Sequence, residues 1–233
     1  MIKTYYELAK PGIIYGNALA AVAGFFFASR GLPLDWPLLV ATVFGLACII
    51  GSACVFNNVY DYEMDAKMER TKHRPSATGE ISRRNATIFG FVLGFFGFSF
   101  LILYSSTMAL FSALLGFFIY VFLYTPLKPK SAWALFVGAA AGATPPVVGY
   151  AAVTGMLDWY ALALFGALYL WQLPHFLAIA TYRYTEYAVA GVPLFITKEP
   201  SSRTKRRAKI VFYSSLVVLL LFCVVLILQR WVR

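Results

Sequence analysis

The chain has 233 residues, of which 61% are hydrophobic and only 13% are charged. A soluble domain of this length cannot hide that much apolar surface, so the composition excludes a soluble globular protein and predicts one embedded in lipid. A formal net charge of +10 would suit a nucleic-acid partner. The distribution of the charge indicates membrane topology instead, and no nucleic-acid partner is predicted.

Seven apolar segments are close to the ~20 residues that a helix needs to cross the hydrocarbon core. They comprise residues 12–29, 37–56, 86–104, 107–124, 132–154, 159–180 and 210–229. If the N-terminus lies in the cytoplasm, every Lys and Arg except Arg30, Arg230 and Arg233 falls on the cytoplasmic side. This positive-inside pattern predicts a multi-pass, all-α membrane bundle.

Concentrated charge follows the second span. Asn57, Asp61 and Asp65 are spaced four residues apart, so on a continuing helix both carboxylates project the same way. Hard oxygen ligands suit Mg²⁺, which proteins often hold by one or two carboxylates together with substrate phosphates. The alternative is an ordinary charged loop with solvated ion pairs. Basic residues able to meet the charge of a phosphate follow directly downstream: Arg70, Lys72 and Arg74.

Two later segments also predict a site. Pro145 and Pro146 lie in the middle of the fifth span, where they free backbone groups that must be satisfied within protein or a wet cavity. On a helix of 100° per residue, His175, Tyr182 and Glu186 share one face. The alternative for His175 is a structural role, in which the histidine is simply hydrogen-bonded inside the bundle.

The acidic loops after spans two and six lie four helices apart, on the same side of the membrane. Asp61 stands in the first loop and Glu186 in the second. This arrangement predicts two pseudo-repeats whose loops face each other over a common cavity.

The acidic stretch resembles the N-D-x-x-D-x-x-x-D motif of the UbiA superfamily of intramembrane prenyltransferases. Asn57, Asp61 and Asp65 are in register with that motif, and Asn58 stands where many members have aspartate. The stretches 142–150 and 171–175 are similar, more narrowly, to the heme-modifying family within it, the protoheme IX farnesyltransferases. The matches extend over residues 1 to about 197. Glu186 replaces the aspartate that is usual in the second acidic motif.

The resemblance implies transfer of a farnesyl group from farnesyl diphosphate to a vinyl group of heme b, with addition of water, giving heme o and diphosphate. Mg²⁺ is the implied cofactor, and heme b is a substrate. The implied location is the bacterial inner membrane, with both acidic loops cytoplasmic, and the implied partners include heme a synthase or the terminal oxidase assembly. Residues 1–233 are expected to form a single prenyltransferase domain. The family fold has nine helices and seven spans are visible here, so either the domain is C-terminally truncated or the last two helices are dispensable.

The resemblance also assigns roles to individual residues. The implied catalytic and Mg²⁺-binding residues are Asp61, Asp65 and Glu186. The implied diphosphate-binding residues are Asn57, Arg70, Lys72, Arg74 and Lys128. The implied heme and prenyl pocket contains His175, Trp171, Tyr124 and Tyr182.

Two other functions fit parts of the same pattern. A prenyltransferase for a quinone-ring precursor would share the acidic motif without needing residues 171–175. A transporter or non-catalytic assembly factor could also contain an intramembrane helix break. A carboxylate pair at the cytoplasmic end of a helix, however, is not what a site at the membrane midplane predicts.

Overall fold

The computed structural model describes residues 1–231, and all regular structure within them is helical. The helices are α1 (Ile2–Leu8), α2 (Pro11–Ala28), α3 (Trp36–Tyr60), α4 (Tyr62–Ala66), α5 (Arg83–Tyr104), α6 (Thr107–Phe118), α7 (Thr125–Leu127), α8 (Ala134–Gly142), α9 (Thr144–Thr154), α10 (Trp159–Tyr182), α11 (Tyr184–Val189) and α12 (Ser202–Leu228). A π-helical segment, Ile119–Tyr124, joins α6 to α7, and a 3₁₀ turn, Gln229–Trp231, follows α12.

All seven predicted spans are present as helical segments long and apolar enough to cross a membrane. The largest boundary error is in the last span. It was expected to begin at residue 210, but α12 begins at Ser202. The Ser201 hydroxyl accepts a hydrogen bond from the Thr204 amide at 3.2 Å, and this N-cap stabilises a basic first part of the helix that hydropathy alone does not reveal.

The fifth span is broken, as its two prolines predict. It consists of α8 and α9, which meet at Ala143. Pro145 and Pro146 occupy the first turn of α9. Backbone N–H groups in a first turn have no hydrogen-bond acceptor within the helix, so the N–H groups that proline lacks are not needed there. The break therefore lies inside the bundle, where the fully buried Ala143 is enclosed by protein.

The second span does not continue unbroken through the acidic stretch, which corrects the expectation of a single helix. Helix α3 ends at Tyr60, Asp61 adopts a non-helical conformation, and α4 follows. The backbone nevertheless keeps i→i+4 bonds, from Asp61 N to Asn57 O at 2.8 Å and from Asp65 N to Asp61 O at 2.7 Å. Both carboxylates consequently still lie on one side, and both residues are 1% exposed.

The spans pack in a ring around a central cavity. Helix α3 packs on α5, α2 on α9, α10 on α12, and α12 returns to α2. This last contact is strengthened by Arg230, whose Nη2 donates to the Leu32 carbonyl oxygen at 2.9 Å. We call the end of the ring that carries residues 57–82 and 183–201 the charged end.

Candidate active site

Asp61 is the centre of a buried polar network at the charged end. Its Oδ2 accepts from Lys128 Nζ at 2.5 Å and from Asn57 Nδ2 at 3.1 Å. Asn57 Nδ2 also lies 3.0 Å from Thr125 Oγ1, and Asn57 Oδ1 accepts from Lys10 Nζ at 2.5 Å. Residues from three separate parts of the chain therefore meet in one network, in which Lys128 and Asn57 contact the carboxylate and Lys10 and Thr125 contact Asn57.

Asp65 is held by the loop that follows it. Arg74 Nη1 donates to Asp65 Oδ2 at 2.6 Å and lies 3.3 Å from Asn58 Oδ1. Thr71 Oγ1 donates to the Asp65 carbonyl oxygen at 2.9 Å. Asn58 in turn donates to the Leu8 carbonyl oxygen at 2.8 Å, so the residue that replaces the family's aspartate anchors α1 and orients Arg74.

The two lysines of the network have opposite pKa shifts. Burial, aided by the charge of Arg74, lowers the pKa of Lys10 to about 8. Burial also opposes the charged form of Lys128, but its neighbours Tyr124 and Asp61 outweigh this effect and the pKa of Lys128 is raised. Lys128 is consequently the more firmly protonated of the two cations.

The carboxylates keep free ligand capacity despite these ion pairs. Asp61 Oδ1, Asp65 Oδ1 and Glu186 Oε2 are buried, and none has a hydrogen-bond partner among residues 1–231. A buried anionic oxygen without a partner is costly, and hard cations such as Mg²⁺ bind such oxygens. The donor set therefore fits a divalent metal. No three His, Cys, Asp or Glu side chains in the described part of the chain surround one point, so Asp61, Asp65 and Glu186 do not together form a three-carboxylate metal site.

Glu186 joins the second acidic loop to the first. It pairs with Arg183 Nη1 at 2.7 Å and with Arg70 Nε at 3.9 Å. The two loops thus face each other, as the pseudo-repeat predicts. The expected common helix face was wrong for this residue, because α10 ends at Tyr182 and Glu186 lies on the separate helix α11.

Two of the predicted site residues lie away from this network. Lys72 pairs with Glu69 at 2.7 Å near the surface, as i,i+3 neighbours. Tyr182 packs on Phe212, with ring centroids 5.5 Å apart, and its hydroxyl accepts from Arg183 Nε at 3.1 Å. The structure does not bring Lys72 to the aspartates, and Tyr182 does not line the cavity described next.

A central cavity of about 370 Å³ lies inside the bundle. It adjoins the acidic network through Tyr120, whose carbonyl oxygen accepts from Thr125 Oγ1 at 2.8 Å, but the carboxylates themselves do not line it. The two tyrosines of the π-helical segment, Tyr120 and Tyr124, line it near the charged end, with ring centroids 5.1 Å apart. The wider turn of a π-helix is common at functional sites, and here it places both rings on the cavity. Trp171 and His175 line it from α10, so three of the four predicted pocket residues meet there.

His175 is held firmly on the cavity wall. Its ring lies 4.9 Å from that of Trp171, nearly parallel at 23°, and 4.9 Å from Phe212 of α12. Its Nδ1 is 2.7 Å from Ser215 Oγ. Trp171 Nε1 donates to the Ser215 carbonyl oxygen at 2.8 Å, so both predicted pocket residues are tied to one residue of the last span.

Three of the polar residues in these contacts, Lys10, Thr125 and Ser215, were not predicted from the sequence. Lys10 lies ahead of the first span and was not among the predicted site residues, while Thr125 and Ser215 carried no signal because hydroxyls are common in spans. Lys10 adopts a left-handed conformation, φ 55°, which is uncommon for a residue other than glycine. The Pro11 that follows was the one available indication of unusual backbone there.

A larger groove of about 590 Å³ lies between α6, α9 and α10, away from the acidic network. Asp158 is its only charged lining residue. That carboxylate caps α10 and accepts from the Tyr150 hydroxyl at 2.7 Å. The one charged side chain of the groove is therefore already engaged in hydrogen bonds, and the smaller central cavity is the candidate site.

An intramembrane ring with paired buried carboxylates at one end and an aromatic cavity beneath defines an intramembrane prenyltransferase, and a family model agrees. The model for the UbiA prenyltransferase family matches residues 17–232. The chain belongs to this family.

Similar curated proteins give a narrower placement. A protoheme IX farnesyltransferase from Marinomonas sp. (strain MWYL1) is 44% identical over 207 residues, covering 88% of this chain and 70% of the relative. Another from Yersinia enterocolitica is 40% identical over 222 residues, covering 95% of this chain and 75% of the relative. At this identity and coverage, the chain lies with the protoheme IX farnesyltransferases within the UbiA family.

Solved structures share the fold at low sequence identity. A UbiA homolog from Archaeoglobus fulgidus bound to GPP and Mg²⁺ has a TM-score of 0.67 at 18% identity, covering 97% of this chain and 78% of that one. The apo structure of a UbiA homolog from Aeropyrum pernix K1 has a TM-score of 0.69 at 17% identity, covering 90% and 77%. These likenesses confirm the predicted all-α fold class.

Proposed function

We propose that this chain transfers the farnesyl group of farnesyl diphosphate to a vinyl group of heme b, with addition of water, giving heme o and diphosphate. The observation that supports this most directly is the combination of two buried aspartates, each with one unpartnered oxygen and one paired cation, with an adjoining aromatic cavity that His175 lines. The identity to protoheme IX farnesyltransferases supports the choice of donor and acceptor.

The charged end would bind the diphosphate. Mg²⁺ held by Asp61 and Asp65, with Glu186 on the facing loop, would supply Lewis-acid stabilisation of the leaving group. Lys128 and Arg74 already point at the two aspartates and would donate charge-assisted hydrogen bonds to the phosphate oxygens. When the allylic C–O bond breaks, the diphosphate leaves with the bonding electrons, and these cations stabilise the charge it carries away.

The aromatic cavity would hold the allylic cation. Tyr120, Tyr124 and Trp171 line it, and the face of an aromatic ring attracts a cation by up to about 2 kcal/mol when desolvated. Exclusion of bulk water protects the cation from conversion to farnesol. Attack by the vinyl group forms the new C–C bond, and one water molecule then adds to the resulting cation and releases a proton.

Replacing Lys128 with alanine tests the diphosphate end. In the proposed complex Lys128 donates to a phosphate oxygen, and truncating one partner of a buried, hydrogen-bonded charge pair across an interface costs about 2–5 kcal/mol. We therefore expect the KM for farnesyl diphosphate to rise about 30-fold or more. Lys130→Ala is the matched control, because that lysine is exposed and makes no ion pair within residues 1–231. Steady-state kinetics in detergent measure both variants. Equal KM values for the two would contradict a role for Lys128.

The proposal includes a multi-pass location in the bacterial inner membrane with the charged end in the cytoplasm. The excess of Lys and Arg at that end supports this orientation. Association with heme a synthase or a terminal oxidase assembly stays a prediction, as does the assignment of residues 1–233 to a single prenyltransferase domain.

The test of function is a heme extract from membranes of a heme-o-deficient host that expresses this chain. We expect a heme b adduct that carries a hydroxyethylfarnesyl group, resolved by chromatography and identified by mass. Heme b alone, from membranes in which the folded protein is detected, would contradict the proposed acceptor. Prenylation of an aromatic acid by the same membranes would then indicate a quinone-type prenyltransferase.

A further inference from the structure

Ser215 lies on the last span, outside the acidic network. Its hydroxyl oxygen makes two short contacts, 2.7 Å from His175 Nδ1 and 2.6 Å from the Phe212 carbonyl oxygen. A serine hydroxyl has one hydrogen to donate. A carbonyl oxygen can only accept, so the hydroxyl hydrogen goes to Phe212, and Ser215 Oγ must accept from His175.

This hydrogen-bond direction fixes the tautomer of His175. Nδ1 carries the proton of the neutral imidazole, and Nε2 keeps its lone pair. Nε2 has no hydrogen-bond partner among residues 1–231, while the histidine lines the central cavity. The ring cannot easily turn away, because Trp171 and Phe212 lie against it and Trp171 is itself bonded to Ser215.

A neutral nitrogen with a free lone pair distinguishes between two parts of a heme. A propionate carboxylate needs a hydrogen-bond donor, and Nε2 in this tautomer has no hydrogen to donate. An iron atom needs an electron-pair donor, and the lone pair of Nε2 can serve as one. Histidines that bind metals almost always donate their other N–H to a neighbouring acceptor, and this second contact fixes ring orientation and raises ligand basicity.

We infer that Ser215 is a positioning residue that presents Nε2 of His175 as the axial ligand to the iron of the porphyrin substrate. The inference rests on the proposed function and makes it more specific. An iron–histidine bond would fix the porphyrin relative to α10, and so hold the vinyl group at a set distance from the farnesyl carbon. Such positioning removes orientational freedom before the reaction.

The experiment is a titration of the purified full chain with ferric heme b, followed by its absorption spectrum. Ser215→Ala removes the acceptor, and we expect about 10-fold weaker heme b binding with a displaced Soret band, as for loss of a partner that orients a metal ligand. Ser215→Thr keeps the hydroxyl and should restore both. The matched control is Ser112→Ala, since Ser112 is also a buried helix serine and donates only to its own helix, to the Met108 carbonyl oxygen at 2.8 Å.

Metal-free protoporphyrin IX separates ligation from packing. It has the same shape as the substrate but no iron, so its affinity should be equal in the wild type and Ser215→Ala. In His175→Gly, added imidazole should restore the wild-type heme spectrum.

An equal loss of affinity for both porphyrins in Ser215→Ala would show a packing role and overturn the inference. A His175→Gly spectrum identical to that of the wild type would also overturn it, while heme o formation would leave the proposed function standing. If the chain neither binds heme b nor forms heme o, both the inference and the proposed function are contradicted.

Discussion

Asp61→Asn is expected to lower kcat by two to three orders of magnitude, about the loss seen when one group that stabilises transition-state charge is removed. The amide matches the carboxylate in shape but lacks the charge that binds a divalent cation and fixes Lys128, which is 2.5 Å away. Binding of farnesyl diphosphate should also lose its dependence on Mg²⁺. Single-turnover kinetics and a binding titration with and without Mg²⁺ measure the two effects.

Glu63→Gln provides the matched control for this charge removal. Glu63 stands two residues from Asp61, but its side chain is 74% exposed. It pairs distantly with Arg83, at 3.9 Å, and accepts from the hydroxyl of its neighbour Tyr62. Its kcat and Mg²⁺ dependence should remain at wild-type values. An Asp61→Asn enzyme within tenfold of the wild-type kcat would refute the assignment of Asp61 to the leaving-group site.

Gly149→Ala is expected to destabilise the whole bundle. A Cβ at this position of α9 would lie 2.8 Å from the Ala21 backbone carbon and 2.9 Å from the Phe25 backbone nitrogen of α2. Backbone atoms cannot move aside as the end of a side chain can, and overpacking costs about 1–3 kcal/mol or more. For a chain of this length, a loss near 2 kcal/mol should lower Tm by roughly 4–8 °C.

Gly166→Ala makes the same chemical change where there is space. Apart from the backbone of its own helix turn, nothing lies within 4 Å of a Cβ built at Gly166, which is also inside a helix. Its Tm in the same detergent should equal or slightly exceed that of the wild type, because alanine favours a helix over glycine. Identical Tm values for the two variants would show that α2 and α9 can separate at little cost.

The spans and the break in the fifth one could be predicted because lipid imposes simple rules on sequence. A helix must be long and apolar to cross, and two adjacent prolines cannot continue it. The meeting of the two acidic loops followed from topology alone and is confirmed by the contact between Arg70 and Glu186.

Pairing of side chains within the site could not be predicted in the same way. Spacing placed Lys72 beside Arg70 and Arg74 as an equal candidate, but Lys72 pairs with Glu69, three residues earlier in the same loop. The common face of His175 and Glu186 failed because one residue, Arg183, leaves the helical conformation between them. Ser215 escaped notice because its role depends on a histidine 40 residues away.

The contact of α12 with both α2 and α10 has a consequence for biogenesis. Helices enter the membrane in chain order, and the cavity wall behind His175 comes from α12, the seventh span to emerge. In a nascent chain with six inserted spans, the His175 imidazole would lack its contacts with Phe212 and Ser215, and the faces of α2 and α10 that pack on α12 would be exposed to lipid. The wall that holds the His175 ring in place is therefore complete only after α12 has entered the membrane.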